Sequence, residues 1–142
     1  MRLHSLEITA FGPFADTVTV DFDELSAGGL FLLTGATGAG KTSVLDAVCF
    51  ALYGQVPGDR SGARHLRSDH ARPEVPPSVV LAASIGDRTF RFTRSPAWSR
   101  PKRRGTGETR VQAHVLVEER QGDTWIALCR TIRAGCLWRK RR

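Results

Sequence analysis

The sequence predicts an α/β domain, and three observations carry that expectation. A short apolar run, Leu30–Leu33, is bounded by glycines. It leads directly into the glycine-rich segment Gly35-Ala36-Thr37-Gly38-Ala39-Gly40-Lys41-Thr42 and then into an apolar stretch from Ser43 to Tyr53 that neither Gly nor Pro interrupts. Short stretches of alternating apolar and polar residues lie on both sides of this unit, the pattern of β-hairpins.

Each element follows in order. His4, Leu6, Ile8 and Ala10 alternate with Ser5, Glu7 and Thr9, which suits a half-buried strand with His4 facing the sheet. Phe11-Gly12-Pro13-Phe14 reads as a turn. Val18, Val20 and Phe22 alternate with Thr17, Thr19 and Asp21 and form the hairpin partner of the first strand. The run Leu30–Leu33 fits a strand buried on both faces, as in parallel sheets. Ser43 to Tyr53 reads as a helix, apolar around most of its circumference and therefore expected to be buried. Gly54 supplies a left-handed stop and Pro57 prevents continuation. Residues 55–78 read as an irregular connection. Val79–Ile85 and Arg88–Thr93 flank the turn Gly86-Asp87, and Val111–Glu118 and Thr124–Leu128 flank a turn through Gln121-Gly122-Asp123. Between these hairpins, Ser95–Gly107 reads as a loop carrying Arg100-Pro101-Lys102-Arg103-Arg104.

Composition narrows the class. The chain has 142 residues, 41% of them hydrophobic, which is enough for a packed core. No apolar run reaches the length of a membrane-spanning helix, and the N-terminus has no signal-peptide apolar block. Three scattered cysteines argue against a disulfide-stapled secreted domain, so a soluble cytoplasmic protein is expected. Cys129 and Cys136 carry no zinc-ligand pattern, His65, His70 and His114 show no ligand spacing, and Cys49 reads as a small core residue. The net charge is +7, but it is unevenly placed. Residues 1–54 carry a net −4 and residues 55–142 a net +11. Residues 130–142 alone hold six basic and no acidic groups, and without them the charge is +1.

Gly35 to Thr42 matches G-x-x-x-x-G-K-[ST] in full, with an apolar strand expected before it and a helix after it. The chemistry explains the spacing. A triphosphate is anionic and needs several donors at close range. Glycines let the backbone curl so that successive N–H groups point inward, and the helix start adds its positive dipole end. ATP and Mg²⁺ are the expected cofactors. Gly35, Ala36, Thr37, Gly38, Ala39, Gly40, Lys41, Thr42 and Ser43 would form the nucleotide site. Lys41 would reach the β- and γ-phosphates as the catalytic cation, and the Thr42 hydroxyl would ligate Mg²⁺. Hydrolysis also requires an acidic metal ligand on a strand. Val115-Leu116-Val117-Glu118-Glu119 imitates one, but reads better as a hairpin strand ending in solvated charges; Val18–Asp21 is a weaker imitation, and Asp46 reads as a structural group.

Thr34–Val48 followed by Phe50-Ala51-Leu52-Tyr53-Gly54 resembles the N-terminal ATPase lobe of the SbcC family, which is similar to the SMC and recombination-repair ATPases. Leu3–Phe14 with Val20-Asp21-Phe22 looks like that family's first hairpin, and Thr89–Arg94 like the hairpin after its helix. The resemblance covers about residues 1–128 and implies an incomplete ABC-type ATPase head. Its N-terminal lobe would have a mixed sheet and added β-hairpins. The family closes two heads over two ATP molecules and works with an SbcD nuclease subunit on DNA ends. An SbcD-like nuclease subunit, a second ATPase head and DNA are therefore the implied partners, and a membrane is not. The turn Phe11–Phe14 falls where the family meets the base side of the nucleotide. The family's coiled coil, Cys-x-x-Cys hook, glutamine loop, signature motif, acidic metal-binding strand and switch histidine are not found in this sequence.

A fragment of such an ATPase is expected to bind ATP weakly and hydrolyse little. Two other functions stay open on the residues alone. One is a small stand-alone P-loop kinase or NTPase with Arg100–Arg104 as its lid. The other is a nucleic-acid-binding module using the seven basic residues of Arg88–Arg104, with Trp98 stacking on a base. The tail, residues 129–142, does not look like the family, and its composition suggests out-of-frame translation or a broken gene.

Overall fold

The computed structural model describes residues 1–26, 32–58 and 66–130. In chain order these form β1 (Arg2–Thr9), β2 (Val18–Asp21), α1 (Phe22–Leu25), α2 (Lys41–Tyr53), β3 (Ser78–Ile85), β4 (Arg88–Ser95), β5 (Trp98–Pro101), β6 (Glu108–Val111), β7 (His114–Gln121) and β8 (Thr124–Cys129). Leu30 and Phe31, and the tail from residue 131, lie outside the described residues.

Period-two alternation builds the sheet. Its order is β2-β1-β3-β4-β7-β8, and every pairing is antiparallel. Cross-strand register aligns the apolar positions into a row, Val20–Leu6–Leu81–Phe92–Val117–Cys129, that crosses all six strands. Leu6, Leu81, Phe92, Val117 and Cys129 in that row are buried. Burying a side chain such as Phe92 contributes about 1.5–3 kcal/mol relative to leaving it exposed. The opposite face is polar: Arg91 pairs with Glu118 at 2.6 Å and lies 4.6 Å from the centre of the Trp125 ring. At the β1 irregularity between Leu3 and Ser5, His4 reaches Asp23 of α1 at 2.7 Å and Ser84 of β3 at 2.6 Å. The hydrogen bond with His4, aided by Arg2, holds the Asp23 carboxyl below its ordinary value.

One face of α2 covers the apolar row. Val44, Ala47, Phe50 and Ala51 point inward and are buried, as is Asp46, and the helix packs on β3 and β4. The expectation of a helix that is buried rather than lying on the surface is corrected here, because Leu45 is 62% and Tyr53 74% exposed. Among the described residues the sheet and the Phe11–Phe14 turn pack on the helix and leave these positions uncovered.

The expected inner strand at Leu30–Leu33 is also corrected over its described half. Leu32 and Leu33 form no strand and are 85% and 40% exposed. A strand buried on both faces needs hydrogen-bonded neighbours on its edges and a layer on each side. The described sheet is built from antiparallel pairs alone, and Leu32 and Leu33 pair with none of its strands. The mixed sheet expected from the resemblance is therefore antiparallel in its described part.

The loop expected at Ser95–Gly107 contains β5 and the tip of a further hairpin whose second strand, β6, follows it, closed by Lys102 N–H bonding to the Gly107 carbonyl at 3.1 Å. Prolines at 96 and 101 and the charge run hid it from a period-two reading. The hairpin Val79–Ile85/Arg88–Thr93 and its Gly86-Asp87 turn stand as expected, extended by a residue or two.

The end of α2 is capped from outside the helix. Gly54 takes the left-handed conformation, φ 75°, and its N–H donates to Phe50. No basic residue occupies the last turn of α2. Instead Arg94 of β4 donates to the carbonyls of Ala51 at 2.7 Å and Leu52 at 3.4 Å. Arg94 lies in the row Ile8–Val79–Arg94–Val115 on the core face, so burial pulls its guanidinium below its ordinary value. A cation at a helix C-terminus complements the dipole and satisfies terminal carbonyls. Arg94→Met should therefore lower unfolding free energy by about 1–3 kcal/mol, read as a shift in the urea midpoint at unchanged slope.

Candidate nucleotide-binding site

The segment Gly35–Ser43 wraps the start of α2. Gly35, Gly38 and Gly40 all have positive φ, at 154°, 86° and 85°. Gly40 is the N-cap and carries no side-chain cap, and the first turn of α2 holds no acidic residue. The first intrahelical bond runs from Val44 N–H to the Gly40 carbonyl at 3.0 Å. By helix geometry the amides of Lys41, Thr42 and Ser43 then have no acceptor inside the helix. Three amides and a positive dipole end, with no carboxylate beside them, form a place suited to an anion.

Lys41 stands over this place. Its Nζ donates to the carbonyls of Gly35 and Ala36, both at 2.6 Å, so the ammonium arches back across its own loop. The bond from Ala39 N–H to the Ala36 carbonyl, 3.2 Å, tightens the same turn. Ala36, Thr37, Gly38, Ala39 and Thr42 are exposed, and Ser43 is half-buried. A cleft of about 390 Å³ is lined by Pro13, Thr37, Gly38, Gly40, Lys41, Thr42 and Ser43. Six of the nine residues expected from the sequence line this surface; Gly35 and Ala36 instead supply the carbonyls that hold Lys41, and Ala39 lies outside the lining. A bare cradle of this kind, with a long-stemmed cation and an exposed hydroxyl at Thr42, fits a Mg²⁺-bound polyphosphate.

Residues that the motif did not name complete the surface. The Phe11–Phe14 turn is closed by two 3.0 Å bonds between these residues, and Phe14 lies against Gly40. Phe11 stacks at 5.5 Å, tilted, on Phe50 of α2. A Cβ on Gly40 would come within 2.6 Å of the Phe14 ring, so the glycine is required by contact as well as by φ. The aromatic residues flanking Gly12-Pro13 were the available signal. For Arg94 the signal was its phase: it follows Phe90 and Phe92 at intervals of two, and a cation in step with buried rings must find an internal partner.

The candidate acidic groups are occupied elsewhere. Glu118 binds Arg91 at 2.6 Å and Glu119 binds Arg88 at 2.5 Å. Asp21 accepts from Glu24 N–H at 3.0 Å as the cap of α1. No group of three or more His, Cys, Asp or Glu placed to hold a metal ion occurs among the described residues. Trp98 is 8% exposed and lies under Arg67, so the expected stacking of Trp98 on a base is corrected. Of the seven basic residues in 88–104, Arg88, Arg91 and Arg94 are engaged within the fold. Lys102, Arg103 and Arg104 are exposed at the tip of the β5–β6 hairpin.

Gly40→Ala should destabilise the fold by at least about 1–2 kcal/mol, the cost of a left-handed non-glycine residue, with the Phe14 clash added. Chemical denaturation compared with Gly38→Ala separates the two effects, because nothing lies within 4 Å of a Cβ at Gly38.

Residues 5–132 match the family model described as AAA domain. Over 110 residues the chain is 43% identical to the SbcC subunit of nuclease SbcCD from Vibrio cholerae, covering 78% of this chain and 11% of the relative. It is 40% identical over 104 residues to the SbcC subunit from Lactococcus lactis, covering 73% of this chain and 10% of the relative. It is 35% identical over 126 residues to that from Treponema pallidum, covering 88% of this chain and 12% of the relative. The chain spans about a tenth of the length of these curated relatives. No helix among the described residues is long and apolar enough to cross a membrane. With the glycine loop, its lysine and the helix behind it in place, this chain belongs to the AAA-domain family of P-loop ATPases and is similar to the N-terminal region of the SbcC subunit of nuclease SbcCD.

Proposed function

We propose that this chain is the ATP-binding N-terminal part of an SbcC-like ATPase, which supports ATP-dependent DNA end processing and double-strand break repair with an SbcD-like nuclease subunit. The observation that carries this reading is the geometry of Gly35–Ser43: the left-handed Gly38 and Gly40, Lys41 and the first-turn residues Thr42 and Ser43 line one cleft. Mg²⁺·ATP, when bound, supplies the electrophilic γ-phosphoryl group. The chain's residues divide the binding among them. The amides of Lys41–Ser43 receive phosphate oxygens. Lys41 would exchange the Gly35 and Ala36 carbonyls for phosphate, and the Thr42 hydroxyl would hold the metal. Pro13 lines the same cleft, which supports placing the base side of the nucleotide along the Phe11–Phe14 turn.

Turnover needs more than this surface. An acidic metal ligand and a group that orients water are required. Glu118, Glu119 and Asp21 are committed to other partners. We infer that a second ATPase head and the remaining part of this one provide those groups. Leu32, Leu33 and Leu45, exposed beside the phosphate loop, support a covering layer there. Titration of a fluorescent ATP analogue with Mg²⁺ should show weak binding by the full chain and none by Lys41→Ala. Rapid steady-state ATP hydrolysis by the 142-residue chain would contradict the assignment.

DNA is the proposed polymer partner, and the β5–β6 hairpin is the part of this chain suited to it. Lys102, Arg103 and Arg104 project from its tip, and Arg110 is exposed on β6. Cations of this kind bind phosphate backbones without reading sequence, with an affinity that falls steeply with salt. Replacing Lys102, Arg103 and Arg104 by Gln should weaken duplex binding uniformly across sequences. The logarithmic salt slope should become shallower by about 2–3. Deletion of 130–142 should leave that slope difference in place.

A further inference from the structure

The segment after α2 is tied by its backbone to the Phe11–Phe14 turn, and one arginine braces that segment. Residues 66–68 run antiparallel to residues 10–12. Gly12 N–H donates to the Leu66 carbonyl and Ser68 N–H to the Ala10 carbonyl, both at 2.9 Å, and Phe11 faces Arg67. The Arg67 guanidinium donates to the carbonyls of Ser68 at 3.2 Å, Arg72 at 2.7 Å and Val75 at 3.3 Å. It also lies 5.3 Å from the centre of the Trp98 ring, at the start of β5. Its Nε is buried with no acceptor. A guanidinium committed to three backbone carbonyls and an aromatic face works inside the protein rather than as an anion ligand.

Arg67 braces residues 68–75, and the backbone beside it, residues 66–68, holds the strand end that leads into the turn. Ala10 is buried with φ 50°, a conformation that a non-glycine residue keeps only when its surroundings impose it. Two residues on, a Cβ at Gly12 would stand 3.3 Å from the Ser43 side chain, and Phe14 lies against Gly40. The contacts therefore run without a break from Trp98 to Arg67, from Arg67 through residues 66–68 to residues 10–14, and from there to Gly40 and Ser43.

We propose that Arg67 is a positioning residue for nucleotide binding. It presses the Phe11–Phe14 turn onto Gly40 and Ser43 so that the phosphate loop is preorganised, and Trp98 ties the β5–β6 hairpin to the same element. The proposal rests on the ATP-binding reading above. Its second arm, amide hydrogen exchange, is independent of that reading.

The test compares the full chain with Arg67→Met, Arg67→Lys and Trp98→Leu. Binding of a fluorescent ATP analogue with Mg²⁺ should weaken about tenfold in Arg67→Met and be partly restored in Arg67→Lys. Exchange should quicken at Gly12, Phe14 and residues 38–43 in Arg67→Met, while the β3–β4 amides keep their protection. Unchanged affinity together with unchanged exchange at those amides overturns the proposal, as does exchange that quickens equally throughout the sheet. If the parent chain binds no nucleotide, the ATP reading fails and exchange alone decides. If Arg67→Met does not fold, Trp98→Leu, which keeps the carbonyl bonds, decides: quickened exchange at Gly12 and residues 38–43 supports the role, and parental exchange overturns it.

Discussion

The described structure depends on how α2 is held. Its apolar face lies on β3 and β4, its first turn lies under Phe14, and its last carbonyls rest on Arg94. A helix seated on only one face could roll or slide along the sheet. The two terminal contacts remove that freedom, and the one at the C-terminus does so through carbonyls that a helix end must satisfy in any case. The phosphate loop takes its shape from this restraint. Gly40 has no room for a Cβ because the turn presses on it, and the turn is set by strands whose register is fixed by the buried row from Leu6 to Cys129.

The arginines separate into two kinds once their partners are known. Arg88 and Arg91 pair with glutamates on β7, Arg94 caps α2, and Arg67 gathers carbonyls beneath the hairpin. These charges serve internal geometry. The cations at the tip of β5–β6 face water and carry the local basic character. A count of charge along the chain merges these groups, and the +7 total overstates how much of it faces outward from the described fold.

The same division applies to acids. Glu118 and Glu119 follow the apolar run Val115–Val117 within β7, a position that imitates that of a metal ligand, yet each is drawn to an arginine on the neighbouring strand. Cross-strand register decides this, since Arg91 stands directly opposite Glu118. On the proposed reading the cleft offers phosphate a lysine and helix-start amides, and its lining residues include no carboxylate. That asymmetry matches a chain spanning about a tenth of its relatives' length.

The sequence by itself determined the glycine loop with its lysine, the helix behind it, the Gly54 stop and three of the hairpin strand pairs. These are written in short-range chemistry: residue spacing, period two, and glycine where φ must be positive. It did not determine which face of α2 is covered, that Leu32 and Leu33 stay outside the sheet, or that Ser95–Gly107 contains strands. Nor did it show where Arg67, Arg94 and Trp98 go. Burial and pairing depend on which layers exist around an element, and partners such as Arg94 and Ala51 lie 43 positions apart in sequence. Only the tertiary structure brings them together, because only there do cross-strand register and the packing of α2 choose the neighbour of each side chain.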